Sequence, residues 1–210
     1  MTPPAGPALK RILVALDASR ASLDALSAAA ALAERLGAEL GGLFVEDEDL
    51  LRLAGHPFAR QVRLPSGDWG PLERGSIEAD LRAMASRARE ALALAAAGRR
   101  LAWSFRVARG RVSLEVIAAA GEADLLVLGL SGHRLTGGPG ETARAAAARA
   151  PTPVLLLTRG SKVGRPILAA CDGSAAGDRA LELGARLAAA GAGELQILVA
   201  APDRPASEVL

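Results

Sequence analysis

Gly129 and Gly132 close an apolar run, ADLLVLGLSG, and Gly137, Gly138 and Gly140 follow before a helix-like segment that opens at Glu141. Glycine-rich backbone between a strand and a helix lets main-chain N–H groups approach and hold a phosphate. Glu141 and Thr142 stand at the helix start, where such a group would arrive. A carboxylate there suits the helix dipole by about 0.3–1 kcal/mol. The same charge opposes a phosphate, since like unit charges about 4 Å apart at an effective dielectric near ~20 repel by about 4 kcal/mol. Asp17, the acid that ends the run RILVALD, reads either as a helix-capping acid or as a ligand group beside that loop.

Other chemistry is poorly supplied. Ser131, His133 and Glu141 have the residue types of a hydrolase triad, but no G-x-S-x-G elbow surrounds the serine. ATP hydrolysis would need a base and a magnesium-binding pair that are not visible, so no enzyme is expected. His56 and His133 are far apart and lack an HExxH spacing, and the acidic run Glu46 to Asp49 lacks the pattern of a calcium loop. No metal is expected beyond magnesium accompanying a nucleotide. Cys171 has no partner for a disulfide or a CxxC site and reads as core filling.

Charge and composition exclude further classes. Twenty-five basic residues nearly balance 23 acidic ones, for a net charge of +2, so the chain lacks the footprint of a nucleic-acid binder. Aromatics at 2% are too few for a base-stacking platform. The cluster Arg99, Arg100, Arg106, Arg109 and Arg111 reads as a solvated surface. No apolar run approaches the ~20 residues of a membrane span, and MTPPAGPALK lacks a secretory core, so a cytoplasmic location without membrane partners is the expectation.

The elements that must position the glycines and Asp17 follow from hydrophobic spacing. RILVALD predicts a buried strand, and Leu23, Leu26, Ala30, Ala33 and Leu36 recur at helical spacing up to Gly37, a candidate left-handed cap. Leu40 to Val45 reads as a second strand. Residues 46–75 break the pattern with Pro57, Pro65 and Pro71 and predict a long surface excursion, with at most a short helix around Leu50 to Leu53. Within it, Phe58 and Trp69 are expected to cover the crevice, form a partner surface or tuck the loop onto the core. Beyond it come a helix from Ser76 to about Ala97, a strand from Leu101 to Ala108 and a helix from Ser113 to Ala120. A strand from Asp124 to Gly129, a helix from Glu141 to Ala150 and a strand from Pro153 to Leu157 complete five strands and four helices in alternation. That is the pattern of a parallel α/β sheet.

Residues 167–200 then match residues 12–45 without a gap: Ile12 falls on Ile167, Asp17 on Asp172, Ser19 on Ser174, Leu26 on Leu181 and Leu40 on Leu195. The expected organisation is one domain over 1–160, with its insertion at 46–75, followed by a truncated β-α-β copy over 161–210. About 45 residues are few for an independent core, and open sheet edges invite pairing, so self-association of the chain is expected.

The opening ILVALDASRASLDAL, the strand-loop ADLLVLGLSG and the ending ARAPTPVLLL together resemble the universal stress protein family over residues 11–158. The resemblance implies a five-stranded parallel sheet with helices on both faces, flavodoxin-like and akin to the adenine nucleotide alpha hydrolase fold, often dimeric or in tandem. It also implies a stress-response regulatory role and an ATP or AMP site. Ala15, Leu16, Asp17 and Val45 would meet adenine and ribose; Gly129 and Gly132 would let the backbone approach the phosphates; and Leu128, Gly140 and Thr142 would complete the nucleotide-binding set. In open parallel sheets such ligands sit beyond the carboxyl ends of the strands. The family's ATP-binding loop reads glycine, two residues, glycine, nine residues, then glycine and a hydroxyl residue. Here only the seven residues HRLTGGP separate Gly132 from Gly140, and Glu141 takes the hydroxyl position. The expectation is a degenerate adenine-nucleotide pocket that favours AMP over ATP. The alternative is a nucleotide-independent dimerisation or scaffold module.

Overall fold

A computed structural model describes residues 9–63, 67–130, 140–158, 160, 166–190 and 194–199. Its contacts divide the chain into two units, one spanning Leu9–Lys162 and one holding the segment from Val163 onward.

The first unit is an α/β fold. β1 (Arg11–Ala15), β2 (Glu39–Asp47), β5 (Trp103–Gly110), β6 (Leu125–Leu130) and β7 (Val154–Thr158) form one sheet in the order β5-β2-β1-β6-β7. Every pairing is parallel. Winding runs outward from β1 through β2 to β5, then returns to β6 on the other side of β1. This reversal opens a crevice beyond the carboxyl ends of β1 and β6. The helices α1 (Arg20–Leu36), α3 (Arg74–Ala97), α4 (Val112–Ala120) and α5 (Glu141–Arg149) cover the sheet. Central strands buried on both faces read as continuous apolar runs, which is why β1 and β6 were visible as such.

Local chemistry explains the boundaries of α1. The Ser19 side chain accepts from the Ser22 N–H at 3.2 Å, and Gly37 ends the helix at φ 65° with its N–H turned back to Ala33 and Glu34. One face of small residues, Ala25, Ala29, Ala30 and Ala33, is fully buried and lets the helix lie close to the sheet. α3 approaches as closely at Gly42, where an added Cβ would stand 2.6 Å from Leu92 Cδ2 and 3.0 Å from Phe105 Cδ2. α5 stops at Arg149 because Ala150, ahead of Pro151, is forced into extended backbone at ψ 137°.

The excursion is more ordered than its composition implies. β2 runs on to Asp47, paired with Gly110 of β5, and α2 (Glu48–Leu53) begins at once under an Asp47 cap that accepts from Asp49 N–H at 3.0 Å. An antiparallel hairpin of β3 (Arg60–Arg63) and β4 (Asp68–Pro71) follows, where a loop was expected. Its Gly70 and Pro71 read as breakers, yet proline is tolerated in an edge strand. Phe58 is 90% exposed and Trp69 is 73% exposed, so the expectation that they tuck the loop onto the core is overturned. They do not line the crevice described below either.

The second unit repeats the opening of the first. β8 (Ile167–Cys171), α6 (Ala175–Ala190) and β9 (Leu195–Val199) form a β-α-β unit with a parallel pair. Its register, Ile167 opposite Leu195, reproduces Ile12 opposite Leu40 at the same offset as the sequence repeat. The corner after the first strand is also repeated. Ser19 N–H donates to Asp17 Oδ1 at 2.9 Å, and Ser174 N–H to Asp172 Oδ1 at 3.0 Å. Between them the backbone is left-handed, at φ 58° on Ala18 and φ 77° on Gly173. Alanine in that region carries a cost of roughly 1–2 kcal/mol, while glycine there loses only unfolded-state entropy. Ala18→Gly is therefore expected to stabilise the first unit by roughly 0.5–1 kcal/mol, read as a higher urea midpoint with an unchanged slope. A lower midpoint would refute the strain.

Candidate functional site

Eight of the nine expected site residues line one cavity of about 450 Å³ in the first unit: Ala15, Leu16, Asp17, Val45, Leu128, Gly129, Gly140 and Thr142. Ligand pockets generally span about 300–1,000 Å³. The ninth, Gly132, lies outside the described residues, as do Ser131 and His133. The cavity occupies the crevice at the strand reversal. Ala15, Leu43, Phe44 and Leu128 bring strand ends to its floor, while Leu81 and Met84 of α3 and Val112 and Val116 of α4 form apolar walls. Val45 lines the cavity and also packs against the core cluster around Leu43, Val116 and Leu128.

Asp17 stands exposed at the mouth. It does not cap α1, as a bare reading of the corner suggests; Ser19 does, and Asp17 fixes Ser19 by accepting its N–H. Ser22, the buried polar residue among the described residues, completes the corner: its Oγ donates to Ser19 O at 3.0 Å and accepts from Asp17 N–H at 3.4 Å. Partial burial pushes the Asp17 carboxyl upward, but hydrogen bonding from Ser19 and Ser22 outweighs it and holds the carboxyl below its ordinary value. Asp17 is therefore a firmly ionised acid held in one orientation at the cavity mouth.

The glycines divide by role. A Cβ on Gly129 would lie 2.4 Å from Ala21 O, 2.5 Å from Ala21 C and 2.8 Å from Ser22 N. Gly129 is thus demanded by the first turn of α1 crossing the end of β6. This packing role was not legible in the sequence, which offered only approach to a phosphate. Gly140 differs, with φ −61° and open space around a hypothetical Cβ. Neither backbone nor packing requires glycine there, and a side chain would stand on the cavity rim. Gly140 opens α5 without a side-chain cap, and Glu141 and Thr142 follow it on the same rim.

Electrostatically the cavity is acidic. Asp17, Asp47 and Glu141 line it, and no lysine or arginine does among the described residues. The acidic run is spoken for: Glu46 pairs with Arg109 at 2.7 Å, Asp47 caps α2, Glu48 pairs with Arg52 at 2.6 Å and Asp49 with Arg111 at 3.3 Å. No group of three metal-ligating side chains occurs among the described residues. The arginine cluster is largely neutralised, with Arg99 on Glu34 and Arg106 on Glu122 as well. Sequence reasoning missed Asp47 as a wall residue, because a capping acid and a cavity acid look alike until β2 is seen to end at the crevice. It also missed Leu81 and Met84, whose helical spacing announces a core face without saying what the core encloses.

The sequence model of the universal stress protein family matches residues 8–158, which takes in the whole five-stranded sheet and every described wall of the cavity. The chain belongs to the universal stress protein family. Solved universal stress proteins share the fold. One from Archaeoglobus fulgidus is 18% identical, with a TM-score of 0.68 over 92% of this chain and 68% of its own. The protein UspA from Lactobacillus plantarum is 23% identical, with a TM-score of 0.53 over 72% of this chain and 99% of its own. Comparison with curated proteins gave no match. As a universal stress protein, the chain carries the five-stranded core together with a partial second β-α-β unit. Among its described residues no helix is long and apolar enough to cross a membrane.

Proposed function

We propose that this universal stress protein is a stress-response regulator whose cavity takes the adenosine part of an adenine nucleotide, AMP in preference to ATP. It acts by changing conformation or partner binding and catalyses no reaction. The observation that carries this reading is the convergence of Ala15, Asp17, Val45, Leu128, Gly129, Gly140 and Thr142 on one cavity at the strand reversal. An apolar slot with a few fixed polar groups suits a flat base, and an oriented carboxylate at its mouth suits the hydroxyls of a ribose. The three acids and the shortened loop make it a poor host for a triphosphate. In this reading the protein is cytoplasmic and self-associating, and any metal enters with its nucleotide.

Calorimetric titration with adenosine, AMP and ATP tests it. Adenosine and AMP are expected to bind, and Asp17→Ala to weaken both by at least about tenfold, since a hydrogen bond to a charged group contributes roughly 1.5–3 kcal/mol. No heat from any of the three on the folded protein would overturn the proposal. It would also favour the scaffold alternative, to which the exposed Phe58 and Trp69 of the hairpin region lend support.

A further inference from the structure

We infer that the outer edge of β5 is a docking surface for a second copy of this chain, the two strands pairing antiparallel about a two-fold axis at Phe105. This gives the self-association of the proposed reading a surface and does not depend on the nucleotide.

β5 ends the five-stranded sheet, and among the described residues no strand pairs with it on the side away from β2. Its 8 residues keep unbroken register with β2, from Trp103 opposite Leu40 to Gly110 opposite Asp47. Edge strands are commonly kept from pairing by proline, lysine, a bulge or short length. WSFRVARG has none of these. The direction of its free backbone groups follows from one hydrogen bond. Ala102 O accepts from Leu40 N–H at 3.0 Å, so residue 102 faces β2 and, by alternation, so do Ser104, Arg106 and Ala108. Trp103, Phe105 and Val107 therefore turn their N–H and C=O groups outward.

The same three residues form an apolar stripe. They share the face of the sheet that α3 covers, since Phe105 and Leu92 of α3 both crowd the Cβ position of Gly42. Even so, Trp103 is 38% exposed and Val107 47%. A two-fold axis perpendicular to the sheet keeps like faces together. In the register centred on Phe105, each Trp103 then meets Val107 of the other copy, an aromatic against a β-branched side chain, and Phe105 meets its own equivalent. Each of these pairs also exchanges both backbone hydrogen bonds. On the opposite face Arg106 comes opposite Ser104 of the other copy. Other registers are poorer. Moving the axis to Arg106 sets two guanidinium groups against each other, and moving it to Val107 sets Phe105 against Arg109. Moving it back to Ser104 runs the pairing past the start of β5. The strand is thus its own complement. Its charges are already matched within the chain, Arg106 with Glu122 and Arg109 with Glu46, so no unmatched charge on it selects a different partner.

Disulfide trapping on the full chain tests this, with Cys171→Ser removing the native thiol. Ser104→Cys and Arg106→Cys are made as separate proteins and mixed under oxidising conditions. In the inferred register they stand directly opposite as a non-hydrogen-bonded pair, about 4.5 Å between Cα atoms, within reach of a disulfide. A reducible dimer is expected from the mixture, and much less from either protein alone. Val107→Pro removes an outward N–H that β2 does not use, a change an edge strand tolerates. It enters the interface twice by symmetry, so the dimer dissociation constant in sedimentation equilibrium should rise at least about tenfold. Val62→Lys on the hairpin should leave that constant unchanged, with circular dichroism confirming the fold of each variant. An Arg106→Cys protein that links to itself in place of the mixed pair would overturn the register. Association lost in Val62→Lys and kept in Val107→Pro would overturn the surface. If the wild type associates, no mixed disulfide forms and Val107→Pro associates equally, β5 is not the surface while self-association stands. If the wild type is monomeric at every concentration, both fail together.

Discussion

Gly129→Ala is expected to destabilise the first unit by about 3 kcal/mol, the upper part of the usual range for overpacking. The added methyl would meet the backbone of Ala21 and Ser22, which cannot rotate away as a side chain would. Relief requires α1 to move, and α1 is anchored by Ala25, Leu26, Ala29 and Leu32, all buried at 2% exposure or less. At roughly 2–4 °C per kcal/mol for a chain of this size, the melting temperature should fall by about 6–12 °C. Gly140→Ala provides the contrast, because its surroundings are open and its φ is ordinary, so its melting temperature should stay within about 2 °C of wild type. Equal losses in the two variants would show that Gly129 is not the packing glycine described here.

Glu141→Ser is expected to strengthen binding of phosphate-bearing ligands selectively. The carboxylate begins α5 on the rim of the cavity. A phosphate about 4 Å away is opposed by roughly 1 kcal/mol if solvent screens the pair fully and by roughly 4 kcal/mol at a partly shielded surface. Glu141 is exposed, so a gain of about tenfold in AMP affinity, with a larger gain for ATP, is the expected outcome. Adenosine, which carries no such charge, should bind as before. An equal change in adenosine affinity would mean that residue 141 acts through pocket shape, and no change in any ligand would remove Glu141 from the site.

The two variants also mark what the sequence revealed and what it concealed. β1, α1 and β6 were legible because each is fixed by local chemistry: continuous apolar runs, helical spacing of apolar residues, a glycine stop. The repeat was legible because matching residues at a constant offset require no knowledge of the fold, and the strand registers reproduce it. The hairpin was concealed because Gly70 and Pro71 are breakers by composition, while antiparallel pairing with Arg60 and Gln61 is a longer-range fact. Strand ends drifted by one or two residues, as at β5, because alternation does not say where a partner stops. At the site, Asp17, Val45 and Gly129 could be assembled from strand ends alone. The reason for Gly129 could not, since its neighbour in space lies more than one hundred positions earlier in the chain. The acids were visible as letters, but their convergence depended on β2 running to Asp47 and α5 beginning at Glu141.

The double duty of Gly129 has a consequence for how such a pocket can diversify. Its floor is mortgaged to the helix that crosses it, so no substitution at that position can adjust the ligand without disturbing the fold. The rim at Gly140, Glu141 and Thr142 carries no such obligation. Variation in what this domain recognises is therefore channelled to the rim, while the floor stays the same whatever the ligand becomes.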